Sequence, residues 1–162
     1  MKQLWAPWRM AYVGGDVVDE ECVFCLRDKG EQDLERLVLH RGDHCFVVMN
    51  KYPYSNGHLL IVPFRHTSSL EELSAPERLE LFELLVRAQS VLQDMLHPQG
   101  FNIGINLGKV GGAGVTEHVH IHIVPRWLGD TNFMPVFADV RVIPEHLQAT
   151  FEMLRAVFKK GI

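Results

Sequence analysis

Cysteine is scarce in this chain, with three residues in 162. So small and odd a number excludes a disulfide framework as the source of stability. Long apolar runs are missing as well. No stretch approaches the ~18 residues a membrane-spanning helix needs, so none is expected. Positive charge is not in excess: 16 Lys and Arg stand against 20 Asp and Glu, a net charge of −4. That excludes a global basic field for nucleic acid, although a local site for phosphate remains open. The amino terminus, "MKQLWAPWRMAYV", has Trp and Pro where a secretion signal needs an uninterrupted apolar stretch. A cytoplasmic protein is expected. No repeat and no low-complexity tract is present.

What is there suits one domain, 1–162, with a real core: 47% of the residues are hydrophobic and 22% charged. Residues 1–20 read as an arm carrying Trp5, Trp8 and Tyr12. Strand-like runs follow at 34–40 ("LERLVLH"), 44–50 ("HCFVVMN") and 58–63 ("HLLIVP"). The turn segments "RGD" and "KYPYSNG" separate them, as in an antiparallel meander. The stretch "SAPERLELFELLVRAQSVLQDML" predicts a helix over 75–96. Ser74 can cap it, Glu77 completes a capping box, and Pro76 is tolerated in the first turn.

That helix carries two apolar stripes. One is Leu79, Phe82, Leu85, Val86 and Leu92; the other is Leu81, Leu84, Val91 and Met95. A helix apolar on two sides is either deeply buried or shared, and in so small a chain a partner subunit is favoured, hence a homodimer. Strands are expected again at 101–107 ("FNIGINL") and 117–124, joined by the loop "GKVGGAG". The segment 125–162 ends in a second helix, "PEHLQATFEMLRAVFKK". Three strands, a helix, two strands and a helix make an α+β class with an antiparallel sheet. Helices cover one face, and the other can hold a site.

The strand at 117–124 raises the question of function. In "TEHVHIHIVPRW", His118, His120 and His122 alternate with Val119, Ile121 and Ile123. Period-2 alternation sends the aliphatics to a core and the imidazoles to the other face. A single such His would be an ordinary core residue; three in register call for chemistry, as base, nucleophile or metal ligand. The preceding loop has four glycines in seven residues and Lys109. Such a backbone can turn N–H groups toward oxyanions, or simply close a hairpin. "CVFC" is commonly half of a zinc site in a reducing compartment, with His66 and His118 as candidates for the other half. A pair of buried thiols is the alternative; a redox pair is disfavoured because no βαβ pattern surrounds it. Asn50 ends one strand and His58 begins the next, which a turn-capping Asn and a core His would also explain.

"HVHIHIV" resembles the signature of the histidine triad superfamily, and "NKYPYSNGHLLIVPFRH" resembles its upstream block. "LWAPWRM", "CVFC", "NLGKVGGAG" and "PRWLGDTNFMP" are similar to a bacterial branch near the Fhit-like dinucleoside polyphosphate enzymes. The resemblance covers roughly residues 1–155. It implies an α+β fold, with a five-stranded antiparallel sheet and two main helices, that pairs as a two-fold dimer. It implies a nucleotidyl hydrolase or transferase that cleaves (di)nucleoside polyphosphates at the α-phosphate through a nucleotidyl-histidine. His120 would be the nucleophile, His122 would bond phosphate or the leaving oxygen, and His118 and His58 would support them. Asn50 matches the ribose contact. Val48 and Leu60 match the apolar surroundings of the base. Asn106, Lys109, Gly112 and Gly114 match the phosphate-side segment, and Trp127 joins the substrate residues. Zinc would be structural, on Cys22, Cys25, His66 and His118. No organic cofactor is implied, and the polyphosphate could bring Mg2+.

One departure stands out. Many members carry Gly-Gln-Ser or Gly-Gln-Thr before the triad, where this chain has Ala113-Gly114-Val115. With that side chain missing, phosphate rather than water could resolve the intermediate, as in a phosphorylase. A cupin-like metalloenzyme would need a Glu a few residues after its His-x-His, and "IVPRW" supplies none. A non-catalytic nucleotide-binding protein is opposed by the intact triad.

Overall fold

The computed structural model describes residues 22–26, 30–130 and 146–159. The expected arm at 1–20 and the start of the second helix at 144–145 lie outside the described residues. Seven elements follow in order: β1 (Val38–Arg41), β2 (Cys45–Met49), β3 (Leu59–Pro63), α1 (Ala75–Leu96), β4 (Gly100–Ile105), β5 (Ile121–Arg126) and α2 (Leu147–Lys159). The strands form one sheet in the order β1-β2-β3-β5-β4, antiparallel at every step. The α+β class and the five-stranded antiparallel sheet with two helices are as the sequence predicts.

The sheet has two faces because its strands alternate. Cys45, Val47, Met49, Leu59, Ile61, Ile121 and Ile123 join Leu81, Leu84, Leu85, Leu92, Phe151 and Leu154 in one buried core beneath the helices. Val38, Phe46, Val48, Leu60 and Val62 form a smaller cluster, with Phe24, Leu26 and Phe64 packed against it. Ile61 is completely buried, so truncating it to Ala should cost about 2–5 kcal/mol.

Helix α1 spans the predicted residues and starts as predicted. Glu77 N–H donates to the Ser74 hydroxyl, and Ser74 N–H donates to the Glu77 carboxylate. Ser74 and Arg65 hold the Glu77 carboxyl down to about 2. One turn on, Glu80 accepts from the backbone N–H groups of Asp43, His44 and Cys45 at 2.5–2.8 Å. A Cβ on Gly42 would stand 2.7 Å from that carboxylate, so the β1–β2 turn needs glycine there. The Cys45 thiol is fully buried, and burial with the nearby Glu80 and Glu77 carboxylates pushes it up to about 12.

The two apolar stripes of α1 divide differently from expectation. Leu81, Leu84 and Val91 are buried, and so are Leu85 and Leu92 from the first stripe. Leu79, Phe82 and Val86 remain about 60% exposed. β1 begins at Val38 rather than Leu34, because Leu37 takes a left-handed φ of 60° and ends a turn that leaves Leu34 in solvent. β4 ends at Ile105 rather than 107. The histidine strand starts at Ile121 rather than 117. Only His122 of the three sits in the ladder. The preceding residues are held by other bonds: Val119 N–H donates to Thr67 O at 2.7 Å, and His118 Nε2–H donates to Pro63 O at 2.8 Å.

Candidate active site and metal cluster

β3 and β5 run side by side, with Leu60 opposite His122 and Ile61 opposite Ile121. The site is built where the chain enters β5. His120 and His122 have ring centroids 4.8 Å apart, and His58 lies 5.2 Å beyond His122. Hydrogen-bond partners decide which nitrogen of each ring carries its hydrogen.

His120 Nδ1 lies 2.8 Å from the backbone oxygen of His118. A carbonyl only accepts, so Nδ1 bears the hydrogen and Nε2 keeps the lone pair. Burial lowers the pKa of His120, and the bond to that carbonyl offsets the shift only in part. The ring is therefore neutral near pH 7. On the other side, the Tyr54 N–H donates to His58 Nδ1 at 3.1 Å. That nitrogen is an acceptor, so His58 Nε2–H donates to His122 Nδ1 at 3.0 Å. In a neutral ring the His122 hydrogen then sits on Nε2. Tyr54 also covers the pair, with its ring 4.7 Å from His58 and 6.0 Å from His122.

His118 serves a second group. Its Nε2–H is used by Pro63 O, so Nδ1 is the lone-pair nitrogen. That atom stands 3.4 Å from Cys22 Sγ and 3.9 Å from Cys25 Sγ, while His66 Nδ1 is 3.2 Å from Cys25 Sγ. The four ligand atoms all lie within 4.8 Å of one another. A tetrahedral zinc with bonds of about 2.0–2.3 Å sets its ligands roughly 3.3–3.8 Å apart, so the cluster fits with little movement. The orienting bond from His118 to a backbone carbonyl is the usual support of a metal-bound imidazole. Burial, and then neighbouring Cys25, raise the Cys22 thiol. A thiolate there needs a compensating cation.

The remaining predicted residues divide. Val48 and Leu60 pair across β2 and β3 on the same face as His122. Asn50 is beside the site: its Nδ2 lies 3.3 Å from His58 Nδ1, and its Oδ1 accepts from Tyr52 N–H at 2.9 Å. It thus shapes the turn as well as facing His58. Ile105 pairs with Ile121, so Asn106 follows at the level of His120. The Asn106 amide donates to Gly112 O at 3.3 Å. The glycine loop departs from expectation in one respect. Its Gly112 and Ala113 N–H groups donate to Lys109 O and Gly108 O, so these amides close the loop rather than point at a ligand. Lys109 and Gly114 are exposed. Trp127 is not brought to the triad. It follows the far end of β5, five residues and roughly 17 Å from His122.

Two residues that the sequence reading passed over belong to the site, Phe24 and Tyr54. Phe24 sits inside the C-x-x-C turn, with its ring 5.7 Å from His118 and 4.9 Å from His120. The signal for both was an aromatic side chain within a motif already singled out for other reasons.

Comparison with known proteins agrees with this architecture. The model of a family described as the HIT domain matches residues 31–127. An AP-4-A phosphorylase from Mycobacterium tuberculosis is 37% identical over 161 residues, covering 95% of this chain and 83% of that protein. A bis(5'-nucleosyl)-tetraphosphatase (asymmetrical) from Schizosaccharomyces pombe is 33% identical over 93 residues, 57% of this chain and 50% of that protein. Among solved structures, a zinc-bound histidine triad family protein from Mycobacterium smegmatis superposes with a TM-score of 0.66 at 25% identity. It covers 87% of this chain and 95% of that one.

Proposed function

This chain belongs to the HIT domain family, and from that premise we propose that it is an enzyme that cleaves dinucleoside polyphosphates through a nucleotidyl-histidine on His120. The observation that carries the reading is the bond from His120 Nδ1–H to the His118 carbonyl. It leaves a neutral ring with its lone pair on Nε2, the state a nucleophile toward phosphorus needs. The relatives named for phosphorolysis and hydrolysis of such substrates support the substrate class.

The Nε2 lone pair attacks the α-phosphorus. A P–N bond forms as the bond to the bridging oxygen breaks, and the leaving polyphosphate takes that electron pair. His122, with its hydrogen on Nε2, donates to the departing oxygen. Its tautomer is set by His58, which in turn is set by the Tyr54 amide. Asn50 is assigned to the ribose, and Val48 and Leu60 to the base. The acceptor is inorganic phosphate: its oxygen attacks the phosphorus, a P–O bond forms as the P–N bond breaks, and the electron pair returns to Nε2 to restore neutral His120. Two points favour it over water: the name of the 37% identical relative, and Ala113-Gly114-Val115 in place of Gln with Ser or Thr. With diadenosine tetraphosphate the leaving group is ATP and the product of phosphorolysis is ADP.

Zinc on Cys22, Cys25, His66 and His118 would hold the turn at 22–26 against the site; it supplies no chemistry to the reacting atoms. Any Mg2+ arrives with the polyphosphate. The exposed Leu79, Phe82 and Val86, with Ile103 on edge strand β4, support a homodimer. Among the described residues no helix is long and apolar enough to cross a membrane, which accords with a cytoplasmic enzyme.

Incubation with diadenosine tetraphosphate, with and without phosphate, tests the reaction. ADP that appears only with phosphate is expected. AMP formed equally without phosphate makes the protein a hydrolase, and no turnover of any dinucleotide removes the proposal. Light scattering that finds only an 18.5 kDa species would remove the dimer.

A further inference from the structure

Phe24 is unusual in what it touches at once. It lies in a tight turn in which Cys25 N–H donates to Cys22 O at 3.0 Å. Its ring meets His118 edge-on at 5.7 Å and His120 at 4.9 Å, tilted by 53°. It also packs on the apolar cluster of Val38, Phe46, Val48, Leu60 and Val62. One side chain thus joins the metal cluster, the reactive imidazole and the floor of the site.

His120 needs such a contact. Its backbone is placed by the Val119 and His118 bonds to Thr67 and Pro63. One ring nitrogen is placed by the His118 carbonyl. A single hydrogen bond still lets an imidazole tilt about its axis. Packing against the ring removes that freedom, and Phe24 and His122 both pack there. His122 is fixed in the β3–β5 ladder. The segment of Phe24 is fixed differently. Among the described residues, 22–26 is tied to the fold by the sulfur–imidazole contacts of Cys22 and Cys25 and by the packing of Phe24 and Leu26.

We propose that Phe24 is a positioning residue that transmits the state of the Cys22–Cys25–His66–His118 cluster to His120. When both thiolates are committed to metal, the turn is rigid and the Phe24 ring holds the imidazole aligned. When a thiolate ligand or the metal is lost, the ring is released and His120 loses its alignment. Nucleotidyl transfer is thereby sensitive to the integrity of the metal cluster, although the metal never meets the substrate. The inference rests on His120 being the nucleophile.

The test uses Phe24→Ala, Phe24→Leu, Phe24→Tyr, Cys22→Ser and the double variant Phe24→Ala/Cys22→Ser. Three quantities are measured on each protein purified without chelator: zinc content, the rate of adduct formation at saturating diadenosine tetraphosphate, and the His120 Nδ1–H resonance. Phe24→Ala should keep its zinc yet lose about 10- to 100-fold in the saturated rate, as a small misplacement of a reacting group does. Phe24→Leu, which keeps most of the packing and guards against loss of fold, should fall in the same direction. Phe24→Tyr keeps the ring and should restore the rate. The double variant should lose no more than the worse single variant, because both changes break one linkage. The Nδ1–H resonance should broaden in Phe24→Ala and Cys22→Ser alike.

Losses that multiply in the double variant would overturn the proposal. So would a Phe24→Ala protein with a raised KM and an unchanged saturated rate, which marks a nucleotide contact only. Zinc loss from Phe24→Ala would reverse the direction of transmission and overturn it too. If the unsubstituted protein forms no adduct on His120, the nucleophile reading falls instead. The ring resonance needs no turnover, and an unchanged resonance in Phe24→Ala defeats the positioning role by itself.

Discussion

His118 and His122 flank the same imidazole, yet the fold gives them opposite tautomers. At His118 a backbone carbonyl, Pro63 O, takes the Nε2 hydrogen and leaves Nδ1 as a lone pair among sulfur atoms. At His122 a donor, His58 Nε2–H, occupies Nδ1 and leaves the hydrogen on Nε2. One neighbour offers a lone pair to the cluster and the other offers an N–H to an acceptor. Each outcome traces to a main-chain group beyond the ring, Pro63 C=O in the first case and Tyr54 N–H in the second. The chemistry of an imidazole row is set by its backbone partners more than by its spacing.

Removing the residue between the two sides should have the largest effect. His120→Ala should abolish the covalent adduct and cost at least about 10^4 in turnover, the upper range for losing an acid–base group. Acid-quenched mass spectrometry with labelled dinucleotide checks it, and an adduct on another residue refutes it. Next comes the ligand side. Cys22→Ser should release zinc and destabilise the protein by about 4 kcal/mol, in the range for loss of a structural metal. Metal analysis and urea unfolding report this, and a zinc-free but equally stable variant would refute it.

The donor side should be milder. His122→Ala should slow departure of the leaving group by about 10^2 while still allowing label on His120. Equal loss of adduct and turnover in His120→Ala and His122→Ala would erase the distinction between them. The smallest effect sharpens the ligand side from outside. Glu77 caps α1 and pairs with Arg65 at 2.8 Å, the residue next to His66. Glu77→Gln should cost about 1 kcal/mol at pH 7. The folded carboxyl is held near 2, below its ordinary 4.5. Its stabilisation is therefore complete above about pH 4.5 and disappears as pH falls through about 2. The urea midpoints of the two proteins should converge as pH falls from about 4.5 to about 2. A difference that stays constant would refute the assignment.

Parts of this were legible in the residues alone. The α1 start was readable because a capping box is local: Ser74, Pro76 and Glu77 sit within one turn. The cluster of Cys22, Cys25, His66 and His118 was readable because few residue types can ligate zinc. The class of the sheet followed from strands joined by short turns. What was not legible depends on distant partners. The strand start at Ile121 is set by Thr67 and Pro63, which bond 118 and 119 away from the ladder. The exposed stripe at Leu79, Phe82 and Val86 could not be told from the buried one, since both are apolar at helical spacing. Glu80 looks like any surface acid until three amides of a distant turn converge on it. Trp127 was carried to the substrate by resemblance, and the length of β5 sets it at the other end.

The burial of Cys45 has a practical consequence. Its thiol is held protonated, walled off from solvent and slow to react with electrophiles. Of the three thiols, only the pair at 22 and 25 can be alkylated without unfolding the chain. Counting the labels that iodoacetamide leaves on native protein therefore reads out the occupancy of that pair, against an internal standard that yields its own label only in denaturant.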